Sequence, residues 1–490
     1  MSRTGSNPVR ASGRSTRWAR RLIQGGFLLL FLYPLLPLVI TRMTNSTLPV
    51  FTSWLLPFDP LLTGGQVVAR RFAWVVIGTP LLLIALTAIF GRFFCGWICP
   101  MGTLLDAIQR LAFWRRKRRS VPQKGNLHLR YYILIAVIAG GVFSLRFLGL
   151  LDPLVIFQRL STTLTLDSLA LRDVTIRTWV GLISLMFLLL VSLELWQPRF
   201  WCRNLCPLGA LLSLFSRFSL LNRKVTTACT GCGECGRVCP MRAIRHEAHD
   251  TDLSDCTFCL ECDPACPKQG IRFELGNLAE KHWQKDEHPQ VIPALRREGS
   301  YLPASKPAIS RREFLGGMAA GVFGLVLAPI NRLAGHKAVL RPPGALPEDE
   351  FLRTCIACQE CVRICPTGAL KPALLESGLS GLGSPILVPR QGGCALNTSC
   401  PNLCAKVCPV GALRPTTPAD LKVGLAEVDR SLCLAWDQGA KCLVCVEACL
   451  NKAAIAYNGR VTVDPQKCTG CGRCESGCPV AGSAIHVRPL

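Results

Sequence analysis

The chain has few of the residues and motifs that bind haem or nucleotide cofactors. It contains only seven histidines, and none lies in a long apolar stretch, which excludes a haem held by two histidines within a bilayer. It has no C-x-x-C-H sequence, so no c-type haem is attached. It also has no C-x3-C-x2-C sequence, which disfavours a radical-SAM enzyme. No convincing glycine-rich nucleotide loop is present, so neither a flavin nor an NAD site is indicated.

Acidic residues are scarce in the N-terminal part of the chain. Residues 1–224 hold 27 Lys and Arg against 6 Asp and Glu, a net charge of +21, whereas residues 225–330 carry −1 and residues 331–490 carry +5. The basic segment also carries most of the apolar runs. Basic loops between apolar runs indicate membrane topology rather than nucleic-acid binding. We therefore expect no nucleic-acid partner.

Long apolar stretches recur in the chain. A membrane-spanning helix needs about 20 mostly apolar residues. The stretches cover about 22–40, 72–90, 131–151 and 178–195, with a shorter fifth at 314–330. They predict an α-helical membrane bundle of four spans plus a fifth anchor.

The basic residues set the expected orientation. They cluster before the first span, after the second and after the fourth, and such loops stay in the cytoplasm. This predicts a multi-pass protein of the bacterial cytoplasmic (inner) membrane. Residues 225–310 would then be cytoplasmic and residues 331–490 periplasmic.

Cysteine is abundant, with 28 copies. Disulfide-rich chains are usually small and secreted, and disulfides require no repeated spacing. Here two successive quartets share the spacing C-x2-C-x2-C-x3-C-P, which is that of bacterial ferredoxins, where three cysteines hold one cubane and the fourth holds the other. Zinc sites usually use two separated C-x2-C pairs instead. One predicted ligand set is Cys229, Cys232, Cys235 and Cys266, and the other is Cys256, Cys259, Cys262 and Cys239.

Four more quartets follow in residues 331–490, so that about six [4Fe–4S] clusters are expected in two α+β ferredoxin-like domains. Two quartets keep the ferredoxin spacing, and the middle two have longer insertions. Asn458-Gly459 predicts a type I′ hairpin turn between the strands 454–457 and 460–463. The ligands are Cys355, Cys358, Cys361 and Cys365; Cys394, Cys400, Cys404 and Cys408; Cys433, Cys442, Cys445 and Cys449; and Cys468, Cys471, Cys474 and Cys478.

The remaining four cysteines form two C-x3-C-P motifs, each at the cytoplasmic end of an even-numbered span. Because residues four apart share one helix face, the pairs Cys95/Cys99 and Cys202/Cys206 predict a further membrane redox centre, either a bound cluster or a dithiol. The alternative is apolar packing of free thiols. Matched Asp59-Pro60-Leu61 and Asp152-Pro153-Leu154 sequences also mark a duplication. Their aspartates either handle quinol protons or, more simply, cap helices.

These motifs resemble those of two known families. Residues 1–300 resemble the NapH-type quinol dehydrogenase membrane subunits and their NosR- and MauN-type relatives, in which four spans with two C-x3-C-P motifs precede a two-cluster cytoplasmic ferredoxin. Residues 305–490 resemble the NapG/MauM-type four-cluster ferredoxin. The sequence Ser310-Arg311-Arg312-Glu313-Phe314-Leu315 matches its twin-arginine leader, although Arg311 and Arg312 also suit an ordinary cytoplasmic helix flank.

The resemblance implies a domain order and a function. The domains would be a membrane module (1–224), a cytoplasmic two-cluster ferredoxin (225–275), a linker (276–309), a signal-anchor helix (310–330) and a periplasmic four-cluster ferredoxin (331–490). Electrons would pass from the quinol pool, with quinone as the substrate couple, to a periplasmic cytochrome or reductase. This makes the chain an electron-transfer subunit, with quinol dehydrogenase activity as a hypothesis.

The resemblance also implies a nested pairing of the four external quartets. Cys478 would join the triplet that begins at Cys355, Cys365 would join the triplet that begins at Cys468, and the inner quartets would exchange Cys408 and Cys449. Two other functions stay open. One is a maturation factor that supplies electrons for metal or thiol reduction, and the other is outward flow from a cytoplasmic ferredoxin without quinone.

Overall fold

The computed structural model describes most of the chain in separate blocks. They are residues 13–33, 59–62, 74–113, 129–141, 149, 151–167, 174–226, 228–245, 250–276, 315–322, 338–374, 376–396, 398 and 400–490. Arg311, Arg312 and most of the predicted linker lie outside them. The chain divides into two compact units: unit 1 holds residues 1–30, 75–136 and 190–323, and unit 2 holds residues 31–74, 137–189 and 324–490. The predicted module 1–224 is thus shared between both units.

The N-terminal 216 residues are helical wherever they form regular structure in the described blocks. Four of the helices overlap the predicted apolar stretches, four surround the C-x3-C-P motifs, and one lies between the third and fourth stretches. They are α1 (Gly13–Leu32), α2 (Trp74–Phe90), α3 (Phe93–Trp97), α4 (Pro100–Phe113), α5 (Leu129–Gly141), α6 (Pro153–Asp167), α7 (Val174–Trp196), α8 (Phe200–Asn204) and α9 (Pro207–Ser216). Residues 315–322 of the fifth stretch are also helical.

Among the described helices, one is long and apolar enough to cross a membrane. It covers Thr178–Trp196 within α7 and has a mean hydropathy of 2.1. Leu185 and Leu188 on this helix are 64% and 63% exposed. An exposed apolar face of this kind needs an apolar partner such as lipid or protein. The shorter apolar helices are Gly78–Phe90, Leu129–Gly140 and Pro207–Ser216.

The ferredoxin part of unit 1 is a small α+β fold. Strand β1 pairs antiparallel with β4, joining Leu221 to Leu275 and Val225 to Ile271, so that the first and last strands of the segment close on each other. Between them lie a short helix and a two-residue ladder. The elements are β1 (Leu221–Val225), α10 (Glu234–Val238), β2 (Ile244–Arg245), β3 (Asp250–Thr251) and β4 (Ile271–Leu275).

The ferredoxin part of unit 2 repeats this plan with more elements. Three antiparallel pairs form there: β5 with β6, β7 with β10, and β8 with β9. The elements are α11 (Glu348–Thr354), α12 (Glu360–Ile364), β5 (Leu370–Pro372), α13 (Gly378–Gly381), β6 (Pro385–Leu387), α14 (Leu403–Lys406), β7 (Gly424–Val428), α15 (Leu434–Asp437), α16 (Val444–Glu447), β8 (Ala454–Tyr457), β9 (Arg460–Val463), α17 (Arg473–Gly477) and β10 (Ile485–Pro489).

The predicted hairpin is confirmed. Strands β8 and β9 pair from Ala454↔Val463 to Tyr457↔Arg460, and the two turn residues, Asn458 and Gly459, have φ of 49° and 73°. Positive φ at both central positions is the requirement of a type I′ turn. The Asn-Gly sequence therefore sets the register of the strands that precede the last quartet.

The matched aspartates cap helices, as the simpler interpretation predicted. The Oδ1 atom of Asp59 accepts from the Leu61 amide at 2.8 Å, and that of Asp152 accepts from the Leu154 amide at 2.8 Å. Both aspartates are fully buried, and their carboxyl groups also interact with each other. Burial raises the pKa of both carboxyls, and Asp59 raises that of Asp152 further, because two adjacent carboxylates resist ionising together.

The aspartate pair predicts a pH-dependent stability. A raised native pKa contributes stability at low pH that is lost as the pH rises through that pKa. Asp152→Asn keeps an oxygen to accept from the Leu154 amide but cannot ionise, so part of this loss should disappear. Thermal unfolding in detergent across a pH series measures the effect. Asp420→Asn, at an exposed site, is the control, and an unchanged pH slope in Asp152→Asn would contradict the prediction.

Candidate functional site

Unit 1 contains two cavities that are each lined by four cysteines. Arg223 of β1 lines both. The first is lined by Cys229, Cys232, Cys235 and Cys266. The second is lined by Cys239, Cys256, Cys259 and Cys262. The structure thus brings together the two sets that the ferredoxin spacing predicts, with the fourth cysteine of each quartet exchanged.

The first two quartets of unit 2 exchange their fourth cysteines in the same way. Cys365 lines a cavity together with the triplet of the second quartet, Cys394, Cys400 and Cys404. Cys408, the fourth cysteine of the second quartet, lies beside the first triplet, which begins at Cys355. Burial raises the pKa of the Cys358 and Cys361 thiols, and Cys408 raises both further.

The last two quartets of unit 2 follow the same rule. Cys478 packs with Cys433 and Cys445 in one buried cluster. Burial raises the pKa of Cys445 to about 11, with further contributions that include Cys433 and Cys478. Cys449 is then the fourth cysteine left for the triplet of the last quartet. Helix α17, which leads to Cys478, contacts α16, which leads to Cys449, so the two helices are placed for the exchange.

The nested pairing that the resemblance implied is therefore wrong for this chain. Cys365 joins the triplet that begins at Cys394, and Cys478 joins the triplet that begins at Cys433. The physical reason is local packing. Helix α12 contacts α14, and α16 contacts α17, so each quartet delivers its last cysteine to the loop of its neighbour in sequence.

The four cysteine sets of unit 2 adjoin one another in a fixed order. Cys404 of the second set interacts electrostatically with Cys361 of the first set and contributes to its raised pKa. The Cys394 amide donates to the Cys471 carbonyl at 2.7 Å, which joins the second set to that of the last quartet. Cys445 of the Cys433 set likewise interacts electrostatically with Cys474 of the Cys468 set. The sets therefore form a series that runs from the Cys355 loop through the Cys394 and Cys468 loops to the Cys433 loop.

The cysteine sulfurs are surrounded by backbone donors that suit a thiolate-bound cluster. Amides donate to Cys266 Sγ from Gly270 at 3.3 Å, to Cys449 Sγ from Ala453 at 3.2 Å and to Cys478 Sγ from Ala484 at 3.3 Å. Such N–H···S bonds stabilise the anionic thiolates and tune cluster potentials. In the described blocks, no three His, Cys, Asp or Glu side chains converge on one metal ion, whereas each thiolate of a cubane binds a different iron.

One cluster loop of unit 1 packs directly on the first C-x3-C-P motif. The Trp97 indole donates to the Phe258 carbonyl at 2.9 Å. A Cβ on Gly96 would lie 2.4 Å from the Thr257 carbonyl oxygen, so only glycine permits this approach. The loop that carries Cys256, Cys259 and Cys262 is therefore fixed on the residues between Cys95 and Cys99.

One cluster loop of unit 2 is held in a comparable way. Arg159 of α6 is buried and donates to the Ile356 carbonyl at 2.8 Å and to the Ala357 carbonyl at 3.1 Å. Gln158 donates to Glu360 in the same loop. The first triplet of unit 2, Cys355–Cys361, is thus attached to the helix that follows Asp152.

The two C-x3-C-P motifs are not continuous helices, which corrects the expectation of a shared helix face. Cys95 lies in α3, whereas Cys99 directly precedes α4, which begins at Pro100. Cys206 likewise caps α9, where its Sγ accepts from the Gly209 amide at 3.2 Å. Proline suits the first turn of a helix and interrupts the interior, so C-P places each second cysteine at a helix N-terminus.

Two arginines complete this region, and the cysteine motifs predicted neither of them. Arg199 makes a bidentate pair with Asp106, at 2.9 and 2.8 Å, and donates to the Cys95 carbonyl at 3.2 Å. Arg92 donates to the Ser254 carbonyl at 3.2 Å. Burial alone would raise the pKa of Asp106, but Arg199 and Arg20 lower it to about 2. The signal was present in the sequence, because both repeats follow R-F-x-C-x3-C-P-x-G.

A matched pair of glycine substitutions tests the loop geometry. Gly231 and Gly470 occupy the same loop position, each with φ of 70°. Nothing lies within 4 Å of a Cβ on Gly231, whereas a Cβ on Gly470 would meet the Gly424 backbone at 2.3 Å. Gly470→Ala should lose about four irons per chain. Gly231→Ala should keep them at a cost of about 1 kcal/mol. Equal iron content in both variants would contradict this account.

Double substitutions test the pairing in unit 2. Cys365→Ser should remove one cluster, about four irons. If Cys365 and Cys404 hold the same cluster, Cys365→Ser combined with Cys404→Ser should lose no more iron than either single variant. Cys365→Ser combined with Cys474→Ser should lose about twice as much. The nested pairing predicts the reverse, so iron analysis of the anaerobically purified variants decides between the two.

Three family models match four segments of the chain. A 4Fe-4S binding domain matches residues 72–122 and again 178–227, a 4Fe-4S dicluster domain matches residues 221–280, and a second 4Fe-4S binding domain matches residues 460–485. The first two segments each contain one C-x3-C-P motif, and the third contains both quartets of unit 1.

Curated relatives of this chain include members of both families that its sequence resembles. The ferredoxin-type protein NapG of Escherichia coli is 39% identical over 209 residues, which cover 38% of this chain and 89% of the relative. The methylamine utilization ferredoxin-type protein MauM of Methylorubrum extorquens is 40% identical over 200 residues, covering 37% and 89%. The ferredoxin-type protein NapH of Haemophilus influenzae is 27% identical over 205 residues, covering 40% and 66%.

Paired cysteine quartets, matched 4Fe-4S domains and these relatives agree on iron–sulfur electron transfer as the chain's chemistry. NapG and MauM are each covered over 89% of their length, and NapH is covered over 66% of its length. The chain therefore belongs to the NapG/MauM family of ferredoxin-type proteins and joins such a protein to a NapH-type part in one polypeptide.

Proposed function

We propose that the chain is a membrane-anchored electron conduit that takes electrons from the quinol pool and delivers them to a periplasmic cytochrome or reductase. The observation that carries the proposal is the attachment of the Cys355–Cys361 loop to Arg159 and Gln158. This contact connects the first of four adjoining cysteine sets to the segment that links the third and fourth apolar stretches. An isolated soluble ferredoxin would need no such contact.

The cysteines would hold six [4Fe–4S] clusters, two in unit 1 and four in unit 2. A cluster of this kind carries one electron at a time, at a potential set by its surroundings. The order of the cysteine sets in unit 2 defines a route that begins at Cys355 and ends at Cys433. The Cys433 loop is the far end of this route, since Cys445 of its set interacts with Cys474 of the Cys468 set.

The proposed topology has four spans plus a fifth anchor in the bacterial cytoplasmic membrane. Basic loops support a cytoplasmic position for residues 225–310 and hence a periplasmic one for residues 331–490. The exposed leucines of α7 suit lipid contact. Arg311 and Arg312 would act as a twin-arginine signal whose helix stays as the anchor. Such signals direct export of folded proteins, which suits a domain whose clusters are inserted before export.

The second candidate is a maturation factor that reduces a metal or a thiol. The C-x3-C-P motifs favour it, because paired cysteines can undergo dithiol chemistry. Four cysteine sets in series favour the conduit, because reduction of one metal or thiol needs few sequential carriers. The two functions differ in what consumes the electrons.

Quinol-driven reduction tests the proposal. Reduced quinol added anaerobically to the purified protein should produce the EPR signals of reduced clusters, and a periplasmic reductase should reoxidise them. Arg159→Gln should slow reduction of the external clusters about tenfold, since it removes two hydrogen bonds from a charged group. Arg353→Gln, an exposed arginine next to the same loop, should have little effect.

Two results would contradict the proposal. If quinol reduces no cluster while copper or a client dithiol is turned over, the maturation function is favoured. If an inhibitor of quinol sites leaves reduction through residues 225–275 unchanged, electrons come from a cytoplasmic ferredoxin and quinone is not involved.

A further inference from the structure

Cysteines from both C-x3-C-P motifs lie near one another in unit 1. Cys99, Cys202 and Cys206 are buried, and Cys95 is half-buried. A Cβ on Gly102 would lie 3.8 Å from Arg199 Nη2 and 3.8 Å from Cys99 Cβ, so the arginine that precedes Cys202 lies beside the first motif. The Cys99 thiol also interacts electrostatically with Cys95 and with Cys202. Cys206 lies at the start of α9, as Cys99 lies at the start of α4, and a helix N-terminus stabilises thiolate.

Each motif is contacted by the arginine of the other repeat. Arg199, three residues before Cys202, donates to the Cys95 carbonyl of the first motif. Arg92, three residues before Cys95, reaches the second motif. A Cβ on Gly209 would lie 2.7 Å from Arg92 Nη2 and 3.4 Å from Cys206 Sγ, so the guanidinium and the thiol face the same small space. The exchange brings positive charge to the cysteines from both repeats.

The charge of Arg92 needs an anion that the described side chains do not supply. Arg199 is neutralised by Asp106, whereas Arg92 is fully buried and, among the residues that the structure describes, donates only to the Ser254 carbonyl. Its Nε and Nη2 atoms have no hydrogen-bond partner within the described blocks. An unpaired buried charge is strongly unfavourable. Neutral thiols would leave it unpaired, whereas metal-bound thiolates would compensate it.

The number of cysteines indicates how the ligands are divided. The family model described as a 4Fe-4S binding domain matches residues 72–122 and 178–227, and each segment contains only two cysteines. A [4Fe–4S] cluster needs four thiolate ligands. Neither segment can therefore hold a cluster alone, but the two together supply the full set.

We propose that Cys95, Cys99, Cys202 and Cys206 hold one further [4Fe–4S] cluster, shared between the two repeats, with Arg92 and Arg199 as its positive neighbours. The proposal rests on the proposed electron-transfer function and gives it a seventh centre. The site adjoins the Cys256–Cys262 loop, which Gly96 and Trp97 hold in contact with the first motif. The residues at this contact thus join the membrane motifs to the cytoplasmic ferredoxin.

Iron analysis and EPR of the full-length, anaerobically purified protein test the proposal. The native chain should hold about 28 irons rather than about 24. Cys99→Ser and Cys202→Ser should each lose about four irons and the same EPR component, and the double variant should lose no more. Arg92→Gln should keep the iron but shift the potential of this component downward, because a positive charge that favours the reduced form is removed. Arg217→Gln, an exposed arginine just after α9, should leave the potential unchanged.

The outcomes separate this site from the proposed function. A native chain with about 24 irons, or titration of the four cysteines as free thiols or disulfides, would overturn the shared cluster even if the variants fold poorly. Quinol reduction enters neither readout. A chain with about 28 irons that quinol does not reduce would support the shared cluster and contradict the conduit. A chain with about 24 irons that quinol does reduce would support the conduit and contradict the shared cluster.

Discussion

The cluster lobes depend on one backbone constraint: a seven-residue loop that turns left-handed on both sides of its central cysteine. Four loops share it, with glycines at 231, 233, 470 and 472 in two of them and Phe258, Leu260, Ala357 and Gln359 in the others. Consecutive turns of this kind direct amide groups toward the enclosed space, as in other anion-binding nests. Thiolates and their cluster carry negative charge, so the backbone stabilises what the cysteines bind.

The choice of residue in these loops distinguishes two roles. A non-glycine residue with positive φ costs about 1–2 kcal/mol, so glycine is the default. Both loops without glycine at these positions are the ones attached to the N-terminal part: Trp97 donates to the Phe258 carbonyl, and Arg159 donates to the Ala357 carbonyl. The side chains also pack, since the Phe258 ring faces Gly91. The strain is tolerated where the loop has a neighbour to contact.

The sequence was sufficient for features with a local cause. Cysteine spacing predicts the two ligand sets of residues 225–275, Asn458-Gly459 predicts the hairpin, and Asp152 predicts a helix cap. Features that depend on packing between distant segments could not be predicted from the sequence. The exchange of Cys365 and Cys408 follows from contact between α12 and α14, and the crossed positions of Arg92 and Arg199 follow from the meeting of two repeats. The repeated R-F-x-C-x3-C-P-x-G sequence contained a signal for these arginines, but not their partners.

The central claim is that one lipid-anchored chain passes electrons from quinol in the bilayer to the periplasmic side. Vectorial reduction in proteoliposomes tests it most directly, with the protein inserted in one orientation, quinol in the lipid and a membrane-impermeant one-electron acceptor on one side at a time. The account predicts rapid reduction on the side that carries residues 331–490 and loss of that reduction when this segment is removed by proteolysis. Equal reduction on both sides, or reduction that survives removal of residues 331–490, would contradict it.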